Sequence, residues 1–180
     1  MRLYLMRHAI AVPHGAPGYP RDAQRPLTDE GRQQATCAAQ GLRRLGILFD
    51  AIATSPYVRA VQTATQVARV YGWRQPFEEW EMLQPDADPQ QTSLALKALK
   101  EREHVLLVGH EPHLSAWLGL LIGGPHLPAS GDRRGQAGGA RCQMKKASVA
   151  CVEIAHAPPI AGSGELRWLL TSKQLALIGT

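Results

Sequence analysis

The chain has 180 residues, 44% hydrophobic and 19% charged, with a net charge of +5. That balance excludes a disordered chain and is enough for a single folded domain, taken here as 1–180, with a sizeable core. The excess positive charge favours anionic partners, but the basic residues are scattered, with Arg133-Arg134 and Lys145-Lys146 the only late doublets, unlike the dense stripe of a nucleic-acid binder.

In chain order, the apolar run Leu3-Tyr4-Leu5-Met6 reads as a strand that empties into Arg7-His8. A Gly- and Pro-rich loop follows from Val12 to Pro26. Thr28 then reads as a helix N-cap, with Asp29 and Glu30 in the first turn and a stop near Leu45-Gly46. A short strand over Ala51–Ala53 precedes Ser55-Pro56, read as cap and first residue of a helix reaching Tyr71 and stopping at Gly72. Pro76 to Gln84 reads as strand and loop, and Gln90 to Arg102 as a helix. Val105-Leu106-Leu107-Val108 has the continuous apolar character of a strand buried on both faces.

Pro112 falls in the first turn of the next helix, which ends at Gly123-Gly124. The segment 124–146, rich in Gly, Pro and charge up to Arg141, is expected to be a flexible surface loop. Strands near Ala147–Ala155 and Leu166–Leu170 close the sheet, and a short helix at most follows Ser172. Alternating strands and helices predict an α/β fold, a three-layer α/β/α sandwich around a mostly parallel mixed sheet.

Three strands thus end in Arg7-His8, in Ser55 to Arg59 and in Gly109-His110. The carboxyl ends of parallel strands share one edge, where open α/β sheets bind ligands. Two guanidiniums, two imidazoles and a helix N-terminus suit a compact polyanion, and phosphate matches the arginine fork. A histidine flanked by arginines has its cationic form disfavoured. The neutral ring then has one lone pair for attack on phosphorus, with its other nitrogen held as a donor, best to a backbone carbonyl. Arginines drawing charge off the non-bridging oxygens make a metal-free phosphoryl transfer feasible.

These residues carry a family resemblance. Leu5-Met6-Arg7-His8-Ala9, Leu27-Thr28-Asp29-Glu30-Gly31, Ser55 through Ala64 and Val108-Gly109-His110-Glu111 occur in the order found in the histidine phosphatase superfamily, which also contains the phosphoglycerate mutases. The chain resembles that family from residue 3 to about 122. The resemblance implies a phosphoglycerate mutase-like fold, His8 as the nucleophile, Arg7 and Arg59 as the phosphate clamp, and His110 as the second phosphate-binding histidine. It implies no cofactor and no metal. Ala9 departs from the family's usual glycine, adding a methyl beside the pocket.

Where many members carry a catalytic glutamate two residues after a leucine, this chain has Leu83-Gln84-Pro85. That resembles the SixA-type branch, whose members are small phosphatases acting on phosphohistidine in proteins. Only fifty residues separate Arg59 from His110, positions 60–109, too few for the helical lid of relatives that enclose small metabolites. The partner expected is therefore a phosphorylated, phosphohistidine-bearing protein, with no nucleic acid and no membrane, and a monomer is anticipated. The alternatives are a phosphomonoesterase acting on small molecules or on phosphoserine and phosphothreonine, and a non-catalytic phosphoprotein-binding module.

Other residues have plainer readings. Glu81, Asp86 and Asp88 are candidates for leaving-group protonation, although each also reads as a solvated loop charge. Arg25 lies near the Thr28 motif and reads either as reaching the substrate or as a surface residue. His14 and His113 lack supporting carboxylates or cysteines for a metal. His104, His126 and His156 read as surface or loop residues, and Trp73, Trp80, Trp117 and Trp168 as packing. Lys145-Lys146 read as a solvated edge that could meet an acidic partner. Cys37, Cys142 and Cys151 have no metal-type spacing and cannot all pair, so reduced thiols in the cytoplasm are expected. Arg7 and His8 interrupt the N-terminal apolar run, unlike a signal peptide, and no stretch nears the roughly 20 apolar residues of a membrane span.

Overall fold

The computed structural model describes residues 1–123 and 142–180. Its centre is a six-stranded sheet with strands β1 (Arg2–Arg7), β2 (Ala51–Thr54), β3 (Glu78–Glu79), β4 (His104–Gly109), β5 (Val149–Glu153) and β6 (Glu165–Leu170) in the order β3-β2-β4-β1-β5-β6. The first four run parallel, β5 is antiparallel to β1, and β6 antiparallel to β5. The sheet is therefore mixed and mostly parallel, as the alternation of elements predicted.

Side-chain alternation assigns each face its helices. Tyr4, Met6, Ile52, Leu106, Val108, Val149 and Cys151 face one way, packing with Ala35, Ala39 and Leu42 of α1 (Asp29–Arg44), Ala60, Ala64 and Val67 of α2 (Val58–Tyr71) and Leu175 of α5 (Ser172–Gly179). Leu3, Leu5, Ala53, Val105, Leu107 and Val152 face the other way. They pack with Leu114, Trp117, Leu118 and Leu121 of α4 (His113–Gly123) and with Leu96 and Leu99, which follow α3 (Pro89–Ala95). Central β4 feeds both cores, which is why its run Val105–Val108 is apolar without alternation.

Local chemistry sets the helix ends. The Thr28 hydroxyl accepts from the Gly31 amide at 3.0 Å, as expected of an N-cap. Gly31 must be glycine for a tertiary reason, because a Cβ there would collide with the Ile10 carbonyl. Gly46 and Gly72 both take positive φ, 73° and 63°, just past α1 and at the cap of α2.

Three expectations are corrected. The helix α2 begins at Val58 rather than at Pro56, since Ser55 is still tied to the sheet through its amide to the Val108 carbonyl at 2.9 Å. The helix expected over Gln90–Arg102 is the shorter α3, capped by Asp88, followed by a tight turn Leu96–Leu99 that carries Leu96 and Leu99 into the core. His104 is not a loop residue but begins β4, its Nδ1 3.0 Å from the Tyr4 hydroxyl.

Of the loop expected over 124–146, residues 124–141, His126 included, lie outside the described residues. The remainder, 142–146, is docked rather than loose: Met144 is fully buried, and its carbonyl accepts from Arg7. Among the described residues, no helix is long and apolar enough to cross a membrane.

Candidate active site

Strand register brings the separate motifs together. Arg7 is paired with Gly109 and Thr54 with Val108, so β1, β2 and β4 end at one edge. Backbone hydrogen bonds continue past the strands, from the His8 amide to the Gly109 carbonyl at 2.9 Å and from the Ser55 amide to the Val108 carbonyl at 2.9 Å. Arg7, His8, Arg59 and His110 meet there, as expected from the sequence.

The His8 ring is held by its two neighbours. Nδ1 is 2.7 Å from the Ala9 carbonyl, and Nε2 lies 3.2 Å from Arg59 Nε. A carbonyl can only accept and a guanidinium can only donate, so Nδ1 carries the proton and Nε2 the lone pair. Thr63 locks the geometry from behind: its hydroxyl accepts from the Ala9 amide at 3.1 Å and donates to the Arg59 carbonyl at 2.7 Å. Ala9 is fully buried, packed in the core between sheet, α1 and α2.

The imidazoles of His8 and His110 stand 5.0 Å apart between ring centres. Burial drives the His8 pKa down to about 3, with Arg59 and Arg7 adding to the effect. Burial likewise drives His110 down to about 2, helped by His8 and Arg59. Desolvation, more than the like charge of the arginines, is the larger cause for both rings. Both rings are neutral at physiological pH.

Arg59 is nearly inaccessible at 3% relative exposure, yet stays charged. Burial presses its pKa down, and Asp22 counters: Nη2 donates to Asp22 Oδ2 at 2.8 Å and Nη1 to the Asp22 carbonyl at 2.7 Å. Arg25 holds the same carboxylate, its Nη2 2.6 Å from Oδ1, and donates through Nη1 to the Val12 carbonyl. Arg25 thus acts through Asp22 rather than reaching the site itself. The Tyr57 ring lies under the Arg59 guanidinium at 5.0 Å and meets His110 edge-on at 5.0 Å.

Arg7 donates through Nη1 to the Met144 carbonyl at 2.8 Å. His110 Nε2 is 2.9 Å from Ser55 Oγ. Arg7 Nε and His110 Nδ1 are buried without a protein hydrogen-bond partner among the described residues. Two such orphans in one cluster are unusual, because buried polar groups are nearly always paired.

The acidic candidates fare differently from expectation. Glu81 and Asp86 are exposed, and Asp88 is committed to capping α3 through the Gln90 amide at 2.9 Å. The carboxyls the fold brings in are Asp22 and Glu111, neither singled out beforehand. Burial pushes the Glu111 carboxyl above its usual range, against the opposing pull of the Ser115 hydroxyl at 2.8 Å and of Arg7. Its position next to His110 was a usable signal. Asp22 had none, sitting in a loop whose only pattern was Gly and Pro.

The remaining candidates are structural. Buried His113 bridges the Thr92 hydroxyl and the Ala87 carbonyl, each at 3.1 Å, and pins the loop after Pro85. The turn Glu81–Leu83 ahead of it packs on the end of β4, since a Cβ at Gly109 would touch the Leu83 carbonyl. Among the described residues no group of His, Cys, Asp and Glu is arranged to hold a metal ion. Trp117 is fully buried, Trp80 nearly so, and Trp73 and Trp168 pack partly buried against the core.

Two imidazoles and two guanidiniums gathered at the carboxyl edge of the parallel strands are what the geometry defines. Residues 3–85 match the model of the histidine phosphatase superfamily, branch 1. An uncharacterised protein of Picosynechococcus sp. is 37% identical over 123 residues, 65% of this chain and 70% of that protein. The chain belongs to the histidine phosphatase superfamily.

Among solved structures, the fold is similar to the protein histidine phosphatase SixA complexed with tungstate, with a TM-score of 0.77, 23% identity and coverage of 97% and 99% of the two chains. It is also similar to the α-ribazole phosphatase of Shigella flexneri, with a TM-score of 0.70, 18% identity and coverage of 96% and 97%. At those identities the likeness is one of fold.

Proposed function

We propose that the protein is a metal-independent phosphatase that hydrolyses phosphohistidine on a protein, through a covalent intermediate on His8. The observation that carries this reading is the tautomer of His8, with Nδ1–H tied to the Ala9 carbonyl and the Nε2 lone pair presented beside Arg59. A ring neutral through burial is a nucleophile across the physiological range.

In the first step Nε2 forms a bond to phosphorus as the bond to the leaving nitrogen of the substrate breaks. That nitrogen's electron pair returns to the departing imidazole, which takes up a proton from solvent. Arg7, Arg59 and His110 bear on the non-bridging oxygens, and the orphaned Arg7 Nε and His110 Nδ1 are donors suited to them. In the second step water attacks the phosphorus on His8, and His8 and inorganic phosphate are released. The guanidiniums supply the charge that a metal would otherwise bring. The SixA-like fold and Leu83-Gln84-Pro85 favour a protein-borne phosphohistidine. The three cysteines are unpaired, in keeping with a cytoplasmic setting.

One observation favours a second reading, a phosphomonoesterase. Glu111 is a carboxyl with a raised pKa beside Arg7, the kind of acid that an alkoxide leaving group requires and an imidazole does not. The test is phosphate release from a phosphohistidine-bearing protein in excess chelator, compared with release from phosphoserine. Release from the former that His8→Ala abolishes, with acid-labile label trapped on His8 in a short pulse, is the expected result. Faster turnover of phosphoserine would select the second reading.

A further inference from the structure

Ala147 is fully buried in a left-handed conformation, with φ 53°. For a residue bearing a Cβ that costs on the order of 1–2 kcal/mol and persists only where its surroundings enforce it. Here they do. The Ala147 amide points at the Arg7 and His8 carbonyls, at 3.1 and 3.3 Å, and the Arg7 amide returns to the Ser148 carbonyl at 3.2 Å. The Ser148 amide and hydroxyl both close on the Lys145 carbonyl, at 2.9 and 2.6 Å. A strained turn is thus fastened to the backbone of the Arg7-His8 pair, and what it presents outward is Lys145-Lys146, both exposed.

These lysines share a groove of about 410 Å³ with Arg7, Gln34, Ser172 and Lys173. No carboxylate and no aromatic side chain lines it. Among the described residues, none of the three lysines takes part in an ion pair. Lys173 lies in the first turn of α5, where the helix dipole favours an acid over a base. Fold stability therefore does not account for the cluster. Four cations from three distant parts of the chain converge at their own electrostatic cost, with Arg7 shared between groove and candidate active site.

We infer that this groove is a docking surface for the carboxylate-rich face of a phosphorylated protein, seating it so that its phosphoryl group enters beside Arg7. The inference rests on the function proposed above and names how that substrate is recognised. Exposed lysines on flexible stems suit steering and loose pairing with many carboxylates. A single-stranded nucleic acid would call for stacking side chains, which the groove lacks.

The test compares wild type with Lys145→Glu/Lys173→Glu, two exposed positions outside the His8–Arg59–His110 cluster. The substrates are a phosphohistidine-bearing protein with an acidic surface and phosphoramidate, each over a salt series. On the protein, kcat/KM is expected to fall about tenfold or more through KM, and the wild-type advantage is expected to fade with salt. On phosphoramidate the variant is expected to stay within about twofold of wild type. Unchanged turnover of the protein, an equal loss on both substrates, or salt-sensitive binding of single-stranded RNA that the variant loses while protein turnover is kept would each overturn the docking surface. Wild type that cleaves phosphoramidate but not the phosphoprotein would instead remove the proposed function beneath it.

Discussion

Asp22 grips Arg59 at two points, its carboxylate Oδ2 accepting from Nη2 at 2.8 Å and its carbonyl from Nη1 at 2.7 Å. Burial works against ionisation of Asp22, but hydrogen bonds and charge from Arg59 and Arg25 hold its carboxyl below the usual range. A carboxylate is thereby stationed on the guanidinium offered to an anion. It aims Arg59 and also lowers the positive potential of the pocket. Asp22→Asn is expected to tighten binding of inorganic phosphate or tungstate by roughly fivefold, about 1 kcal/mol at intermediate dielectric. Because the guanidinium is then less firmly aimed, kcat is expected to fall. Calorimetric titration checks the first and steady-state kinetics the second. Weaker anion binding would show that orientation outweighs charge.

The imidazoles of His8 and His110 resist protonation because they are buried, with pKa values near 3 and 2. Nitrogen-edge NMR is expected to show both rings neutral at about pH 5, with His8 in the Nδ1–H form. The sign for stability follows from linkage. The unfolded chain takes up protons on these histidines below about pH 6.5 while the folded chain does not, so stability is full above that pH and declines as pH falls toward 3. His8→Asn is expected to lose less stability than wild type between about pH 7 and about pH 5 in paired thermal melts. Equal losses would mean that the His8 ring accepts a proton in the folded state.

Glu111 separates the two proposed substrate classes. Its carboxyl is raised above the usual range by burial and fixed by Ser115, which suits it to the acid that the second reading requires. Glu111→Gln is expected to slow hydrolysis of an alkyl phosphate such as phosphoserine by on the order of 10²-fold and that of phosphohistidine only slightly. If both fall together, Glu111 acts by positioning Arg7 rather than by donating a proton.

Thr63 joins the backbone of Ala9 to that of Arg59, and so joins nucleophile to clamp. Thr63→Val keeps the shape but leaves the buried Ala9 amide without an acceptor, at a cost of about 1–3 kcal/mol. Gly31→Ala drives a methyl into the Ile10 carbonyl and is expected to cost about 2 kcal/mol or more. Chemical denaturation measures both. Thr63→Val is expected to reduce kcat as well, because the Ala9 carbonyl that orients His8 is then less well held.

Legibility from sequence tracked the distance over which each feature is decided. The cap at Thr28, the stop at Gly72 and the buried strand Val105–Val108 are local patterns, and they stand where they were expected. Arg7, His8, Arg59 and His110 were readable because each follows a strand end or opens a helix. Element boundaries failed where a tertiary bond overrode local preference, as when Ser55 stayed with the sheet instead of capping α2. The acidic residues were misjudged for the same reason: nothing near Asp22 in the sequence announces Arg59, 37 positions away.

The amino-acid sequence by itself determined the alternation of strands and helices, the family, and the four residues that meet at one sheet edge, since periodicity and motif are properties of neighbours along the chain. Only the tertiary structure decided the state of those residues. Bonds spanning 55 positions from His110 to Ser55 and 137 from Arg7 to Met144 orient the side chains, and burial keeps both imidazoles neutral. The turn that carries Lys145-Lys146 to the edge of the pocket belongs to the same class, because its strained Ala147 is held by the backbone of Arg7 and His8. Desolvation and long-range hydrogen bonding exist only once the chain has closed on itself.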